Sequence, residues 1–296
     1  MSDKESSGEQ FLVVQASSNR GVAAGKDGQL TEFHFRRRSG RPLPGDRITL
    51  DTADALASIA PRDNVFGRGD PRGRLKPIAA NLDQVMIVIA PQPAPSRDLL
   101  HRYLAAAHIQ GIRPLIIVNK TDIELPEQPP FDELDGLQSL GYEIVRTRCT
   151  DGSSLECLPT RLAGQTSLLA GQSGVGKSSL LNALIPDLDL QTGALSRVTG
   201  KGTHTTTTAI LHRLPDGGWL VDTPGVWEYG LWRMEVEQLQ RGFPEFADYS
   251  GDCRFRNCRH REDPGCAVRA AAESGALPAF RHEAWLRLLA EQDRLK

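Results

Sequence analysis

Gly171, Gln172, Ser173, Gly174, Val175, Gly176, Lys177 and Ser178 run Gly-x4-Gly-Lys-Ser, the spacing of a loop that wraps phosphates. Glycines let such a backbone curl until its N–H groups face phosphate oxygens, and a helix beginning near Lys177 adds its positive end. Lys177 is expected against the β- and γ-phosphates, and Ser178, followed by Ser179, is expected to offer a hydroxyl to Mg2+. Asp222 closes an apolar run and is a second magnesium candidate, with the Gly225 N–H meeting the γ-phosphate. Asn119, Lys120, Thr121 and Asp122 suit base selection, because a carboxylate accepts two hydrogen bonds from guanine that adenine cannot donate. The expected nucleotides are therefore GTP and GDP. Cys253, Cys258, His260 and Cys266 form Cys-x4-Cys-x-His-x5-Cys, a donor set that suits one tetrahedral Zn2+ and leaves no open position, so the ion is read as structural.

The bland alternatives are an accidental glycine-rich turn, a helix-capping turn at Asn119–Asp122, and free thiols beside a surface histidine. The phosphate loop and the base-reading turn occurring together argue against the first two. Their order is unusual, since the base-reading turn precedes the phosphate loop. A doubly wound sheet tolerates such a circular permutation if its former termini lay close together, because the spatial arrangement is kept.

Strands are expected at 84–90, 114–120, 142–147, 166–172 and 218–225, with a helix over 96–111 that carries Leu99, Leu100, Tyr103, Leu104 and Ala107 on one face. Buried strands alternating with helices point to a largely parallel α/β sheet. Before it, 11–63 reads as short strands of a small β-barrel, and the glycine-rich 61–77 reads as a linker. After 232 the cysteine cluster leads to a helix with Trp285, Leu288, Leu289 and Leu295 on one face. The expected division is a loose tail over 1–10, a barrel over 11–73, a nucleotide-binding core over 74–231 and a zinc-binding helical unit over 232–296.

A formal net charge of -2 over 296 residues excludes a generally polycationic protein, so any nucleic-acid contact must be local. Such patches could include Arg36, Arg37, Arg38, Arg41 and Arg47 in the barrel, and Arg254, Arg256, Arg259 and Arg261 around the cysteines. Five cysteines and a polar start argue for thiols or a metal in the cytoplasm, not a disulfide framework. No apolar run reaches the roughly 20 residues that span a bilayer, so no membrane partner is expected, and nothing demands more than a monomer. Cys149 and Cys157 are assigned no role.

The permuted order, together with LKPIAANLDQV, AGQSGVGKSSLLNAL, GTHTTTT, DTPGV, YGLW and the cysteine cluster, resembles the small-ribosomal-subunit-dependent GTPase A family of bacterial circularly permuted GTPases. That resemblance implies an N-terminal OB-fold, a permuted P-loop GTPase core and a C-terminal zinc-binding helical domain. It further implies a ribosome-stimulated GTP hydrolase in late maturation of the 30S subunit, with 16S rRNA as a partner. On it, Gly202–Thr208 becomes switch I, Thr205 or Thr206 a magnesium and γ-phosphate contact, and His204 the water-orienting catalytic residue beside Lys177. Val226 follows Asp-x-x-Gly where many GTPases have glutamine, so slow turnover without the ribosome is expected. Two other readings remain: an RNA-binding assembly factor using GTP and GDP only as conformational ligands, and a P-loop small-molecule kinase. The kinase reading is disfavoured by the guanine-reading turn and by the lack of an acceptor-substrate domain.

Overall fold

Val85, Ile87 and Ile89 of one strand face one side of a sheet, while Met86, Val88 and Ala90 face the other, and all six are buried. This alternation is the period-two consequence of strand geometry applied to a strand covered on both faces. The structure is a computed structural model that describes residues 9–51, 53–149, 152–189, 191, 195, 209–223 and 229–295. The calls at Gly202–Thr208, including His204, Thr205 and Thr206, and at Gly225 and Val226 lie outside the described residues.

The central sheet has strands β8 (Gln84–Ile89), β9 (Arg113–Val118), β10 (Glu143–Arg146), β11 (Thr166–Gly171), β12 (Ile210–Arg213) and β13 (Trp219–Asp222) in the order β10-β9-β8-β11-β13-β12. All neighbours are parallel except the antiparallel edge pair β12 and β13. β11 pairs directly with β8, Gly171 opposite Val88, so the second half of the chain inserts beside the strand that opens the first half. On one face, helices α1 (Leu99–Ile109) and α2 (Leu134–Ser139) pack over the sheet; on the other lie α3 (Cys157–Leu162) and α4 (Lys177–Leu184). Parallel strands put the carboxyl ends of β8, β9, β11 and β13 on one edge, where open α/β sheets bind ligands.

The N-terminal unit is an antiparallel sheet of β1 (Gln10–Ser17), β2 (Arg20–Ala24), β3 (Leu30–His34), β4 (Arg47–Leu50) and β5 (Leu56–Ile59), in the order β3-β2-β1-β4-β5. An isolated bridge between His34 and Ala55 joins its two edges, which gives the expected barrel of OB type. Its own core is Val13, Ala23, Phe33, Phe35, Ile48 and Leu56.

The expected linker over 61–77 is incorrect. It contains β6 (Val65–Gly69), which pairs antiparallel with β7 (Leu75–Ala80). The Asp70 carboxylate accepts from the backbone of Arg72 and Arg74 and from the Arg74 guanidinium, which fixes the turn despite little apolar content. Gly69 serves close approach: a Cβ there would lie 2.4 Å from the Leu231 carbonyl oxygen.

The C-terminal unit holds α5 (Val236–Gln240), α6 (Ala247–Ser250), α7 (Ala267–Ser274) and α8 (Ala279–Arg294). Trp285, Leu288 and Leu289 are buried as their spacing predicts, in one continuous core with Leu100 and Leu104 of α1. Arg281 of α8, fully buried, donates through Nη1 to His101 Nδ1 at 2.9 Å, pairs with Glu245 and lies 4.4 Å from the Phe243 ring centroid. His101 Nε2 in turn donates to Glu133 at 2.9 Å. Burial holds His101 below its usual range in spite of Glu133, which fits a neutral imidazole accepting from arginine on one side and donating to carboxylate on the other. The network welds α8 to the central domain.

Candidate functional site

Gly171 ends β11 with φ +141°, and a Cβ there would meet the Val88 carbonyl oxygen at 2.4 Å. Gly176, at φ +99°, caps α4; a Cβ on it would lie 2.2 Å from Asn119 Nδ2. Both positions thus require glycine, one for the neighbouring strand and one for the base-reading turn. Between them Lys177 folds back, its Nζ donating to the carbonyls of Gly171 and Gln172 at 2.8 Å each. Burial pushes its pKa down and Asp222 pulls it back up, while burial pushes the Asp222 carboxyl up against the pull of Lys177. An anion entering the loop would pull the Lys177 pKa further back up. Ser178 and Ser179 stand exposed on the first turn of α4, whose N–H groups and dipole face the loop. The residues present therefore fit a phosphate group and a magnesium ion: a glycine cradle, one buried ammonium, an open hydroxyl and a carboxylate at the end of β13.

Asn119 is buried where β9 ends, and its Nδ2 donates to the Val175 carbonyl at 2.9 Å. Lys120 adopts φ +59°, and its Nζ donates to the Gly174 carbonyl at 2.7 Å and to that of Gln92 at 2.8 Å. A left-handed lysine is locally unfavourable, so the surrounding hydrogen bonds hold it there. Thr121 and Asp122 are exposed beyond this clamp. Gln172 is buried with its Oε1 lacking a partner among the described residues, whereas Ser173 is half-buried. The fold thus brings Asn119 and Lys120 against Gly174, Val175 and Gly176, and places Asp222 within electrostatic reach of Lys177.

Three contributors were missed in the sequence. The fully buried Thr147 donates its hydroxyl to Asn119 Oδ1 at 3.0 Å, and its carbonyl accepts from Thr121. Cys149, assigned no role above, donates Sγ–H to the same Asn119 oxygen at 3.5 Å, and burial pushes its thiol up. The only available signal for these two was their position just after β10. A third is Tyr229, which stacks on Tyr103 at 4.1 Å between centroids and donates its hydroxyl to the Gly67 carbonyl at 2.6 Å. The chain leaving it runs beside β6, with Gly69 N donating to Gly230 O at 2.8 Å. Gln292 of α8 then holds the Trp232 carbonyl and the Met234 N–H, at 3.1 and 3.0 Å.

Cys253, Cys258, His260 and Cys266 have their ligand atoms within 4.8 Å of one another, and all three thiols are free. His260 Nδ1 is 3.6 Å from Cys253 Sγ and 3.5 Å from Cys266 Sγ. A tetrahedral metal with ordinary zinc bond lengths separates nitrogen and sulfur ligands by about 3.6 Å, so the donor set fits a metal ion. Burial and the neighbouring thiols push Cys258 up to about 12, a protonation that metal ligation would reverse. Trp285 and Phe246 wall the His260 ring, at 5.9 and 5.7 Å. Of the arginines singled out, Arg36, Arg38, Arg41, Arg47, Arg254, Arg256 and Arg261 are exposed, while half-buried Arg259 pairs with Asp293 at 2.7 Å.

A parallel sheet with its phosphate loop after β11 and its Asn-Lys-x-Asp turn after the earlier β9 defines a circularly permuted P-loop GTPase. The family model described as RsgA GTPase matches residues 59–232. A relative from Chromohalobacter salexigens, the small ribosomal subunit biogenesis GTPase RsgA, is 44% identical over 280 residues, covering 93% of this chain and 81% of its own. The protein of that name from Haemophilus influenzae is 38% identical over 288 residues, covering 94% and 83%. Among solved structures, YjeQ from Thermotoga maritima shares 28% identity at a TM-score of 0.73, covering 96% of this chain and 98% of that one. YloQ, a circularly permuted GTPase, shares 26% at 0.72, covering 100% and 99%. The chain belongs to the RsgA GTPase family. Among the described residues no helix is long and apolar enough to cross a membrane.

Proposed function

We infer that this protein hydrolyses GTP to GDP and phosphate during late maturation of the 30S ribosomal subunit, with hydrolysis stimulated by that subunit and controlling release. The observation that carries this reading is the clamp of Asn119 and Lys120 on Gly174 and Val175, which makes one rigid body of the base-reading and phosphate loops. Relatives 44% and 38% identical over most of this chain bear the name small ribosomal subunit biogenesis GTPase RsgA.

In this reading Gly171 to Ser179 cradle the phosphates, Lys177 holds positive charge at the β- and γ-oxygens, and Asn119 to Asp122 select guanine. Ser178, Asp222 and Thr205 would hold magnesium, which when bound supplies further positive charge to the phosphate oxygens. Thr205 or Thr206 meets the γ-phosphate together with the Gly225 N–H, and His204 orients the attacking water. Val226 offers no polar atom for that task, so turnover of the isolated protein is slow. Cys253, Cys258, His260 and Cys266 hold a structural zinc ion. The units 11–73, 74–231 and 232–296 act as barrel, GTPase and zinc domain on 16S rRNA, in the cytoplasm and as a monomer. The clamps on 229–234 transmit changes at the γ-phosphate to the β6–β7 hairpin and to α8.

The test is GTP turnover measured with and without purified small subunits. Marked stimulation by mature or nearly mature 30S is expected. Equal rates in both would favour an assembly factor for which the nucleotide is only a conformational ligand. Stimulation that survives His204→Ala at unchanged GTP affinity would remove His204 from the mechanism.

A further inference from the structure

Phe255 is 43% exposed, one of two large hydrophobic side chains so exposed among the described residues. It sits at the tip of the loop between the ligands Cys253 and Cys258, where Arg254, Phe255, Arg256 and Asn257 are exposed in succession. The Arg254 guanidinium lies 5.3 Å from the Phe255 ring centroid. Both ends of this tip are fixed: Arg254 N donates to the Gly265 carbonyl at 3.0 Å, and Cys258 N donates to the Phe255 carbonyl at 3.2 Å. Gly265, at φ +70°, lets the chain around it approach Arg254; a Cβ there would lie 3.0 Å from Arg254 Cβ. Among the described residues neither Arg254 nor Arg256 takes part in an ion pair, whereas Arg259 and Arg261 share Asp293.

We propose that Phe255 is a stacking platform for one unpaired RNA base, with Arg254 and Arg256 contacting the adjoining phosphates. A ring exposed to water on an anchored backbone, beside a guanidinium, offers a π-face that any base can cover, and the charges follow the backbone. A protein partner fits less well. A stable protein interface needs a buried apolar centre within roughly 800 Å2 per partner, and the other exposed large hydrophobic side chain, Leu75, belongs to β7. The proposal rests on the reading of this chain as a factor acting on the ribosomal small subunit, and assigns a point of contact within it.

The full-length protein is titrated with a fluorescein-labelled single-stranded RNA dodecamer, a duplex RNA of the same length and purified small subunits. Bound metal is measured in every variant, so that a collapsed knuckle is recognised. Phe255→Ala is expected to keep its metal and to lose about tenfold or more in affinity for the single strand, with little change for the duplex. Phe255→Trp should retain the affinity and gain an indole signal that the single strand quenches. Wild-type protein that does not bind the single strand, or Phe255→Ala that binds it as wild type does, overturns the platform. So does an equal loss for duplex and single strand. Loss confined to intact subunits, with RNA binding untouched, would assign the ring to a ribosomal protein and also overturn it. Wild-type turnover stimulated by subunits alongside any of these results would leave the proposed function standing.

Discussion

Asn119 Nδ2 and the Val175 carbonyl meet at 2.9 Å across 56 positions of sequence, so the base-reading turn and the phosphate loop touch through one buried side chain. The same amide accepts from Thr147 through Oδ1. Asn119→Ala would leave the buried Val175 carbonyl and the Thr147 hydroxyl unpaired, at about 1–3 kcal/mol each. The expected outcome is a lower melting temperature and GDP affinity reduced by about tenfold or more. Differential scanning calorimetry and nucleotide titration check both; a variant that melts and binds like wild type contradicts the clamp.

Thr147→Val tests the less obvious half of that contact. The swap keeps the volume but removes the hydroxyl donor, and a loss of about 1 kcal/mol in stability is expected with a smaller loss in GDP affinity. Chemical denaturation of the two proteins measures the difference.

The Arg281 network predicts an asymmetry between single and double substitution. Arg281→Ala strands the buried Glu245 and the Nδ1 of His101, and should cost about 3–5 kcal/mol. Replacing Arg281 and Glu245 together by Met and Leu should recover much of that loss. Urea unfolding of the single and double variants decides, and equal destabilisation in both would show that the ion pair is not what matters.

Acid stability follows from His212, which burial pushes from 6.5 to about 4. Its imidazole stays neutral in the fold while the unfolded chain takes up a proton. Its contribution is therefore fully present above about pH 6.5 and is lost as the pH falls towards 4, by at most roughly 3 kcal/mol. His212→Phe should flatten the stability profile between these limits, as read from unfolding midpoints. An unchanged slope would contradict the assignment.

How much of this was legible in the sequence depended on how local the signal was. The phosphate loop, the Asn119–Asp122 turn and the cysteine cluster are contiguous patterns whose chemistry fixes spacing, so each could be read without knowing the fold. The strands over 84–90 and 114–120 were legible because burial on both faces makes them continuously apolar. The β6–β7 hairpin was not, because Asp70 and tight glycine contacts with Leu231 stabilise it, and these read as a loop when the distant partner is unknown. Thr147, Cys149, Tyr229 and Arg281 act through partners far away in the chain, which periodicity does not encode.

The most direct test of the central claim, that a permuted chain assembles one guanine-nucleotide site from Asp122 and Lys177, is calorimetric titration of wild type and Asp122→Asn with GDP, ADP and xanthosine diphosphate. Wild type should prefer GDP to ADP by roughly 10⁴, and Asp122→Asn should shift its preference to the xanthine nucleotide. Comparable affinity of wild type for GDP and ADP, or no shift in the variant, would contradict it.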